Sequence, residues 1–356
     1  MFLFGDTFDS YVTAQLSRRY QRVGQPSLPG NGVEISAGNG RGGSQSLRCT
    51  NGNGLVGRGI TLSTATHFVH FAIRPTVLTT QGLIAFWNSV YQRQHVVISL
   101  NDNGSLSVRK ETTNTGALTI ITATVLGTTP AGLVTPNAWV HVGCAVKVHA
   151  STGTATLYVN GAVVLTLTGL NTYNATCATT EVDEIVIGYF GGDVCDFDDF
   201  IISDDVAGDG RTTFLGDQIG EVVSVLADGS STQWTRNTGA TNASCVDDTV
   251  PDDDTTTVAA ATVGFTDLYT LVGAPVRVTD PVSCLQLVTV AKKSEGGTRA
   301  LAHVVRSAGT NYPQGDQYLG STYVTQQTPV TKNPATSADW LVAAVSALEI
   351  GQKVTV

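Results

Sequence analysis

The segment from Ala138 to Val164 alternates apolar and polar residues in two runs, which a Ser-Thr-Gly cluster separates. A period of two is typical of β-strands with one face turned to a core. Asn160-Gly161 closes the second run and favours a type I′ turn, because both residues tolerate positive φ. The segment therefore predicts a hairpin, a tight turn and a further strand.

The first run of this segment places two different sets of side chains on its two faces. Trp139, His141 and Gly143 share one face with Ala145, whereas the intervening valines and Cys144 share the other. Both sets contain residues that are commonly buried, so we expect both faces of this strand to be partly covered.

Similar short segments, rich in β-branched or aromatic residues and bounded by Gly, Asn, Asp or Pro, recur from residue 66 to residue 204. Helical patterns do not separate them, so they predict a mainly β fold built as a two-sheet sandwich. The predicted strands are HFVHFAIRPT, GLIAFWNS, HVVISLND, SLSVRKET, WVHVGCAVKV, TATLYVNG, AVVLTLTG, EIVIGYF and DFDDFIISD.

The chain has 356 residues, which is long enough for two domains at roughly 150 residues each. A Gly- and Asp-rich seam, SDDVAGDGRTTFLGDQIGEVV, follows the last of these strands, and we place the domains at residues 1–207 and 208–356. The second domain is also predicted to be β-rich, with strands at APVRVTD, CLQLVTVAKKS, RALAHVVRSAG and STYVTQQTPV. Its one predicted helix is capped by Thr336 or Ser337 and stops at Gly351; a strand is the alternative, because Thr, Trp and Val also favour strands.

The charge pattern narrows the classes of partner. The net charge is −9, and acidic clusters at residues 193–209 and 247–254 face no basic stripe, which argues against nucleic acid. The amino terminus lacks a basic region followed by a long apolar core, and no segment approaches roughly 20 apolar residues. We therefore expect neither export by a signal peptide nor a membrane span.

The order AWVHVGCAVKV, GTATLYVNGAVV, VDEIVIGYF and CDFDDFIISDD resembles concanavalin A-like, or laminin-G-like, jelly-roll domains over residues 1 to 205. In that family an Asp-Asp-Phe strand returns beside the amino-terminal strand. The opening LFGDTFDSYVTAQLSRRYQ and the later FLGD, WTRNTGATNASCVDD, DDDTTTV and GFTDLYTL resemble uncharacterised structural proteins of tailed bacteriophages. The resemblance implies a concanavalin A-like jelly-roll sandwich followed by a second β-rich, virion-associated domain.

The same resemblance implies a function in binding. We expect a non-enzymatic structural component of a tailed-phage virion, capsid-decorating or tail-associated, which binds neighbouring virion proteins and is assembled in the bacterial cytoplasm. We also expect a homo-oligomer, in particular a trimer; the alternative is a monomer that becomes ordered in rings only on the particle. The alternative is a glycan-binding adhesin or receptor-binding protein of the virion, in which exposed aromatic residues stack on sugars: Trp87, Tyr91, Trp234 or Tyr312.

The amino-terminal arm, Met1 to Tyr20, admits two roles. Its apolar start, MFLF, suits a contact segment for particle assembly. Alternatively, Phe2, Phe4 and Phe8 complete the sandwich as its first strand.

One acidic strand invites comparison with laminarinase-type glycoside hydrolases, which share the jelly roll. Glu181 and Asp183 fall on one strand face, and retaining glycosidases need two carboxyls roughly 5 Å apart. The hydrolase motif continues to a further acidic residue where this chain has Ile185 or Ile187. We therefore interpret Asp183 and Glu184 as polar positions of an apolar strand near a sheet edge, and predict no enzyme.

Other candidate chemistry is incomplete. Five carboxylates offer oxygen ligands of the kind calcium prefers, but without an EF-hand pattern we predict solvated strand positions: Asp196, Asp198, Asp199, Asp204 and Asp205. The loop GNGRGGSQS lacks a phosphate-loop ending, and no serine or histidine arrangement suggests a catalytic triad. The six cysteines lack zinc spacing; they are predicted as reduced thiols, with a Cys177–Cys195 bridge as the alternative. No catalytic, cofactor or metal site is predicted.

Overall fold

The computed structural model describes residues 1–24, 32–50, 53–112, 123–190, 194–209, 211–275, 279 and 281–356. The chain divides into two compact units, Met1–Gly220 and Glu221–Val356. The expected boundary lay at residues 207 and 208. The segment from 208 to 220 stays with the first unit because Asp199 binds the Gly220 N–H and Arg41 pairs with Asp217.

Antiparallel strands form the framework of the first unit. A 3-10 helix, Thr13–Arg18, lies between the first two. The strands are β1 (Phe2–Asp6), β2 (Arg22–Val23), β3 (Val33–Ser36), β4 (Ser46–Cys49), β5 (Asn53–Ser63), β6 (His67–Pro75), β7 (Gln81–Asn88), β8 (Arg93–Leu100), β9 (Leu106–Lys110), β10 (Thr124–Thr128), β11 (Val140–Lys147), β12 (Gly153–Val159), β13 (Ala162–Leu170), β14 (Val182–Phe190) and β15 (Cys195–Asp204).

These strands form two sheets. Sheet A has eight strands in the order β13-β12-β11-β6-β15-β4-β3, with β1 also paired to β15. Sheet B has seven, in the order β10-β9-β8-β7-β14-β5-β2. One hydrophobic core joins Val69 and Phe71 of sheet A to Ile84, Phe86 and Ile98 of sheet B, so the sheets pack face to face. The prediction of a mainly β, jelly-roll sandwich is confirmed.

The predicted strands of this half are all present, as β6 to β9 and β11 to β15. The turn between β12 and β13 is also confirmed, because Asn160 and Gly161 have φ angles of 48° and 78°. One position was wrong: β14, expected near an edge, pairs with both β5 and β7 inside sheet B. Its run of Ile185, Val186 and Ile187 fits that interior position, since a central strand has both faces covered.

The amino-terminal arm belongs to the sandwich. Strand β1 pairs with β15, and Phe4 and Phe8 are fully buried in the core. The structure thus agrees with the first-strand interpretation of the arm. The Met1 ammonium also binds the backbone and side chain of Asp204, which fixes the start of the strand.

A buried carboxylate ties this arm together. Asp6 accepts hydrogen bonds from the hydroxyls of Tyr11 (2.8 Å) and Tyr20 (2.9 Å), the Arg19 guanidinium (3.2 Å) and the Phe8 N–H (2.9 Å). The Arg19 guanidinium carbon also lies 4.1 Å from the centre of the Tyr11 ring. Burial and the nearby Asp6 charge raise the pKa of both tyrosines, so both stay neutral donors at neutral pH.

The second unit is also β-rich. Its strands are β16 (Val225–Thr232), β17 (Thr235–Arg236), β18 (Val258–Ala259), β19 (Thr266–Leu271), β20 (Leu285–Ala291), β21 (Ala300–Ser307), β22 (Thr310–Tyr318), β23 (Val324–Val330) and β24 (Glu349–Val354), with a 3-10 helix at Ala243–Cys245. A five-stranded sheet has the order β16-β19-β24-β21-β22, while β17-β18 and β20-β23 form separate pairs. A core around Trp340, Val305 and Leu348 fills this unit.

The predicted carboxy-terminal helix is largely wrong. Only α1 (Val342–Ser346) is helical, and Gly351 lies inside strand β24 rather than ending a helix. Trp340 instead forms an isolated bridge with Val282, and its indole N–H donates to the Val330 carbonyl. Within the described ranges, no helix has the length and apolarity that a membrane crossing needs.

Three of the four strands predicted for this half are confirmed as β20, β21 and β23. The fourth, APVRVTD, falls largely on residues outside the described ranges. Strand β22 was not predicted, because Asn311, Pro313 and Gly315 are residues that usually interrupt strands. It pairs with β21 along one side only, which leaves the Pro313 position free of a second strand.

Replacing Asp6 by alanine should destabilise the first unit by about 3–5 kcal/mol, because Arg19 would keep a buried, uncompensated charge. Urea denaturation followed by circular dichroism measures this loss. Asp102→Ala, in an exposed turn, is the matched control and should change stability by less than about 0.5 kcal/mol. An equal, small effect of both variants would contradict the structural role of Asp6.

Candidate functional site

The outward side of sheet A carries an unusual density of polar groups. We call the outward-facing side chains of β4, β15, β6, β11 and β12 the polar face. Strand alternation sends Phe71, Ile73 and Phe197 into the core. It turns the adjacent residues Ala72, Arg74 and Asp196 outward. Most of these outward residues are nevertheless buried, so their polar atoms need partners within the protein.

The first row across the polar face is an arginine–aspartate–arginine cluster. Register places Arg48 and Arg74 directly opposite Asp196 on the two flanking strands. Arg48 donates to Asp196 at 2.8 and 3.2 Å, and Arg74 donates at 2.8 and 3.2 Å. The Asp196 side chain is 1% exposed while each arginine is 26% exposed, so the carboxylate anchors two guanidinium groups that reach solvent.

An aromatic ring flanks this row. Trp139 is half-buried immediately before β11, and the Arg74 guanidinium carbon lies 5.3 Å from its ring centre. Arg74 also donates to the backbone and side-chain oxygens of Asn39, each at 3.0 Å. The cluster therefore presents fixed donors, a planar ring and an amide side by side.

The second row contains two adjacent buried carboxyls. A bulge in β15 separates Asp198 from Ile201, and Asp199 adopts a φ of 53° there. The Arg41 N–H donates to Asp198 (2.7 Å), and the Gly220 N–H donates to Asp199 (2.8 Å). Burial first, and for Asp198 the neighbouring Asp199 charge next, raise the pKa of both carboxyls.

Arg41 joins this carboxyl pair to the segment that follows β15. Its guanidinium donates to both carboxylate oxygens of Asp217, at 2.7 and 2.8 Å, and lies 3.4 Å from Asp199. We call residues 211–220 the strap, since they lie after the last strand and return to the polar face. The strap has no regular secondary structure, so side chains and Gly220 supply its attachment.

The third row is a cluster of rings. His70, Gly143 and Tyr158 lie opposite one another on β6, β11 and β12, and His141 is two residues from Gly143. The Phe214 ring of the strap stacks on Tyr158 with a centroid distance of 3.8 Å and an interplanar angle of 8°. Burial lowers the pKa of His70 to about 3 and that of His141 to about 4, so both are neutral at pH 7.

The three acidic residues of the glycosidase comparison have structural partners. Glu184 forms a two-fold ion pair with Arg22 (2.9 and 2.8 Å), and Asp183 accepts from the Ser89 N–H and hydroxyl. Glu181 accepts from the Thr179 hydroxyl at 2.9 Å. A register shift between Val182 and Glu184 also interrupts the alternation on which a shared face depends.

The carboxylates considered for calcium are likewise bound by the protein itself. Besides the partners given above, Asp204 accepts from the Met1 ammonium (2.9 Å) and Asp205 from the Thr66 N–H (3.0 Å). The expectation of solvated positions was wrong for four of them, because Asp196, Asp198, Asp199 and Asp204 are buried. Across the described ranges, no group of three His, Cys, Asp or Glu residues is arranged to hold a metal ion.

The cysteines and the aromatic sugar candidates take varied positions. No disulfide joins Cys177 to Cys195, and Cys195 lies opposite Cys49 on the neighbouring strand. Trp87 is fully buried under the Arg22 guanidinium and offers no ring to a ligand. Tyr91 is 38% exposed, while Trp234 and Tyr312 are half-buried.

The sequence patterns drew attention to the aspartates of the polar face and to Trp139, but not to its arginines or to Phe214. Arg41 lies in GNGRGGSQS, which was interpreted only as a loop, and Phe214 lies in the seam. A solitary aromatic residue within a Gly- and Asp-rich segment was the available signal for Phe214. Arg48 and Arg74 gave no signal, because their common partner Asp196 is about 120 to 150 residues away.

No protein-family model and no curated protein matches the chain. Solved structures do match. A protein of unknown function with a galectin-like fold from Bacillus subtilis has a TM-score of 0.37 and 11% identity, covering 57% of this chain and 96% of the other. A carbohydrate esterase from Shiga toxin-encoding bacteriophage phi24B has a TM-score of 0.33 and 14% identity, covering 56% and 99%.

The binding domain of Paraclostridial Mosquitocidal Protein 1 is a third match, with a TM-score of 0.34 and 18% identity. It covers 49% of this chain, and this chain spans only 42% of that domain. At such scores and identities, none of these likenesses assigns an activity or a ligand to this chain.

The carboxyl pair predicts a specific pH dependence of stability. Because the folded pKa values of Asp198 and Asp199 are raised, the folded state holds more protons than the unfolded state above about pH 4. The two carboxyl groups therefore contribute fully to the free energy of unfolding below that pH. This contribution is lost as the pH rises through their raised pKa values. Asp198→Asn should make the slope of unfolding free energy between pH 5 and pH 8 less negative, by up to about 1.4 kcal/mol per pH unit.

Urea titrations at several pH values test this slope. Asp205→Asn, at an exposed position after β15, is the control and should keep the wild-type slope. Parallel curves for Asp198→Asn and the wild type would contradict the raised pKa of the carboxyl pair.

Proposed function

We propose that the chain is a non-enzymatic binding protein of a tailed-phage virion, and that its first unit binds glycan through the polar face. The observation that carries the glycan proposal is the Arg48–Asp196–Arg74 row beside Trp139. The virion proposal is supported by the sequence resemblance of the amino-terminal and second-half motifs.

The row matches the chemistry of a saccharide. Sugar hydroxyls need both donors and acceptors, and the apolar face of a sugar ring packs on an aromatic side chain. Arg48 and Arg74 have partly exposed donors, Asn39 adds an amide, and Trp139 supplies the ring. Because Asp196 already fixes both guanidinium groups, a ligand would lose little entropy in ordering them.

Replacing Trp139 by alanine should weaken glycan binding about fivefold or more, since stacking on one aromatic ring contributes roughly 1 kcal/mol beyond burial. A glycan array with the purified full chain identifies the saccharide, and isothermal titration measures the affinity of the variant. Arg74→Ala should give a similar loss, because it removes hydrogen-bond donors and also the guanidinium that packs on the Trp139 indole.

Trp234→Ala is the matched control, because Trp234 is also half-buried and its indole N–H already donates to the Phe265 carbonyl within the second unit. It should bind glycan as the wild type does. The glycan proposal fails if the wild type binds no saccharide, or if Trp139→Ala and Trp234→Ala bind equally well.

The second unit favours an additional function, attachment to neighbouring virion subunits. Its five-stranded sheet ends in β16 and β22, and each edge strand carries an exposed large apolar residue: Leu226 (63% exposed) and Tyr318 (64%). Edge strands with exposed apolar side chains are suited to pairing with another protein. The expected homo-oligomer, in particular a trimer, would repeat such contacts on a symmetric particle.

Mass spectrometry of purified particles should detect the chain as a virion component. In particles assembled with Leu226→Ser and Tyr318→Ser together, we expect a several-fold lower copy number, because both edge contacts lose apolar area. Val90→Ser, at a 73% exposed position of the first unit, should leave the copy number unchanged. Absence of the wild-type chain from particles would refute the virion proposal.

A further inference from the structure

A recess lies in the third row of the polar face. Its floor is made by the small residues Ala72 and Gly143, and its sides by His70, His141 and Tyr158. A Cβ atom on Gly143 would come within 2.5 Å of two Phe214 ring carbons, so the ring rests directly on the glycine backbone. Glycine at this position therefore makes room for a six-membered ring.

Phe214 fills the shape of the recess with a flat ring. It stacks on Tyr158 and meets His70 edge-on, with a centroid distance of 5.4 Å and an interplanar angle of 66°. The His141 ring lies 6.0 Å away. Three rings and the Gly143 backbone thus contact the Phe214 side chain.

The hydrogen-bonding groups of the recess are not satisfied by this occupant. His70 Nδ1 and His141 Nε2 lie 3.5 Å apart, but His70 Nε2 and His141 Nδ1 have no partner among the described residues. Both histidines are at most 1% exposed. Unpaired polar atoms of this kind cost roughly 1–3 kcal/mol each, and a phenyl ring can offer them neither a donor nor an acceptor.

We propose that this recess is a subsite for a pyranose ring of the glycan, and that Phe214 occupies it until the glycan displaces the strap. The inference rests on the proposed glycan binding and names where one ring sits. The six-membered ring of a pyranose is similar in width to a phenyl ring, and it stacks on Tyr158 through its C–H face. Its hydroxyls then reach the unpaired nitrogens of His70 and His141, which a phenyl ring leaves without partners.

The subsite continues the site already described. Trp139 immediately precedes β11, and His141 and Gly143 are alternate residues of that strand on the same, outward face. The recess therefore adjoins the Trp139 end of the first row. A saccharide longer than one ring can therefore contact Trp139 and Tyr158 together.

The strap is fastened by contacts that can open. Its ion pair between Arg41 and Asp217 is partly exposed, and exposed pairs contribute about 0–1 kcal/mol. Near its carboxyl end, the Gly220 N–H donates to Asp199, and the Gln218 carbonyl accepts from Arg41 at 3.5 Å. Phe214 contacts the rings of the recess, so removing it should raise the fraction of chains with an open recess.

The test measures binding of methyl glycosides of glucose, galactose, mannose and N-acetylglucosamine to the full chain by titration and saturation-transfer NMR. Phe214→Ala should bind the preferred glycoside about tenfold more tightly, because the open state no longer competes with the phenyl ring. Adding Tyr158→Ala to that variant should abolish the gain. Ring resonances of His70 and His141 should shift on binding.

Asp217→Asn is a second variant that loosens the strap and keeps every ring, so it tests the inference even if Phe214→Ala fails to fold. It should also increase affinity. Val206→Ala, an exposed apolar residue preceding the strap, is the control and should not. Thermal melts monitored by circular dichroism establish that each variant is folded.

The outcomes separate the two proposals. If the wild type binds glycan through Trp139 but Phe214→Ala, Asp217→Asn and Tyr158→Ala leave affinity unchanged, the subsite is refuted and glycan binding stands. If neither the wild type nor any folded variant binds a glycoside or an array glycan, both are refuted. Binding of phenol but no glycoside to Phe214→Ala would refute the saccharide assignment of the recess.

Discussion

The buried carboxylates of strand β15 impose the constraint on which the polar face depends. Asp196, Asp198 and Asp199 are removed from water on the side of sheet A that faces away from the core, and each needs donors to offset its lost hydration. Arg48 and Arg74 on the two flanking strands supply the donors for Asp196. The irregular segments supply the rest, through the N–H groups of Arg41 and Gly220.

This demand for donors explains why distant parts of the chain converge on one strand. The glycine-rich loop bends back so that Arg41 reaches both Asp199 and Asp217, and the strap ends where Gly220 binds Asp199. The amino terminus is fixed in the same way by Asp204 at the far end of β15. One acidic strand thereby organises a loop, a terminus and a linker that have little regular structure of their own.

Alternation and turn chemistry were enough to predict nine of the first unit's strands, β6 to β9 and β11 to β15, because their apolar faces and the Asn160-Gly161 turn are local properties. The prediction of a carboxy-terminal helix failed for the opposite reason. Trp340 and Gly351 fitted a local helical pattern, but the pairing of β24 with the distant strands β19 and β21 decided the conformation of the segment that contains Gly351. The candidate site could not be predicted from local sequence patterns. Arg41, Arg74 and Phe214 gain their significance only from partners far away in sequence.

The strap links the charge balance of the polar face to access to its recess. Asp217 accepts hydrogen bonds from Arg41, and the Gly220 N–H donates to Asp199. Phe214, by contrast, covers His70 and His141 but forms no hydrogen bond with their unpaired nitrogens. The polar groups of the polar face thus have partners at the carboxyl end of the strap, whereas the histidine nitrogens of the recess have none. In our proposal a hydroxylated ring corrects that mismatch while Asp199 still holds Gly220, so the strap can lift at Phe214 without leaving the sheet.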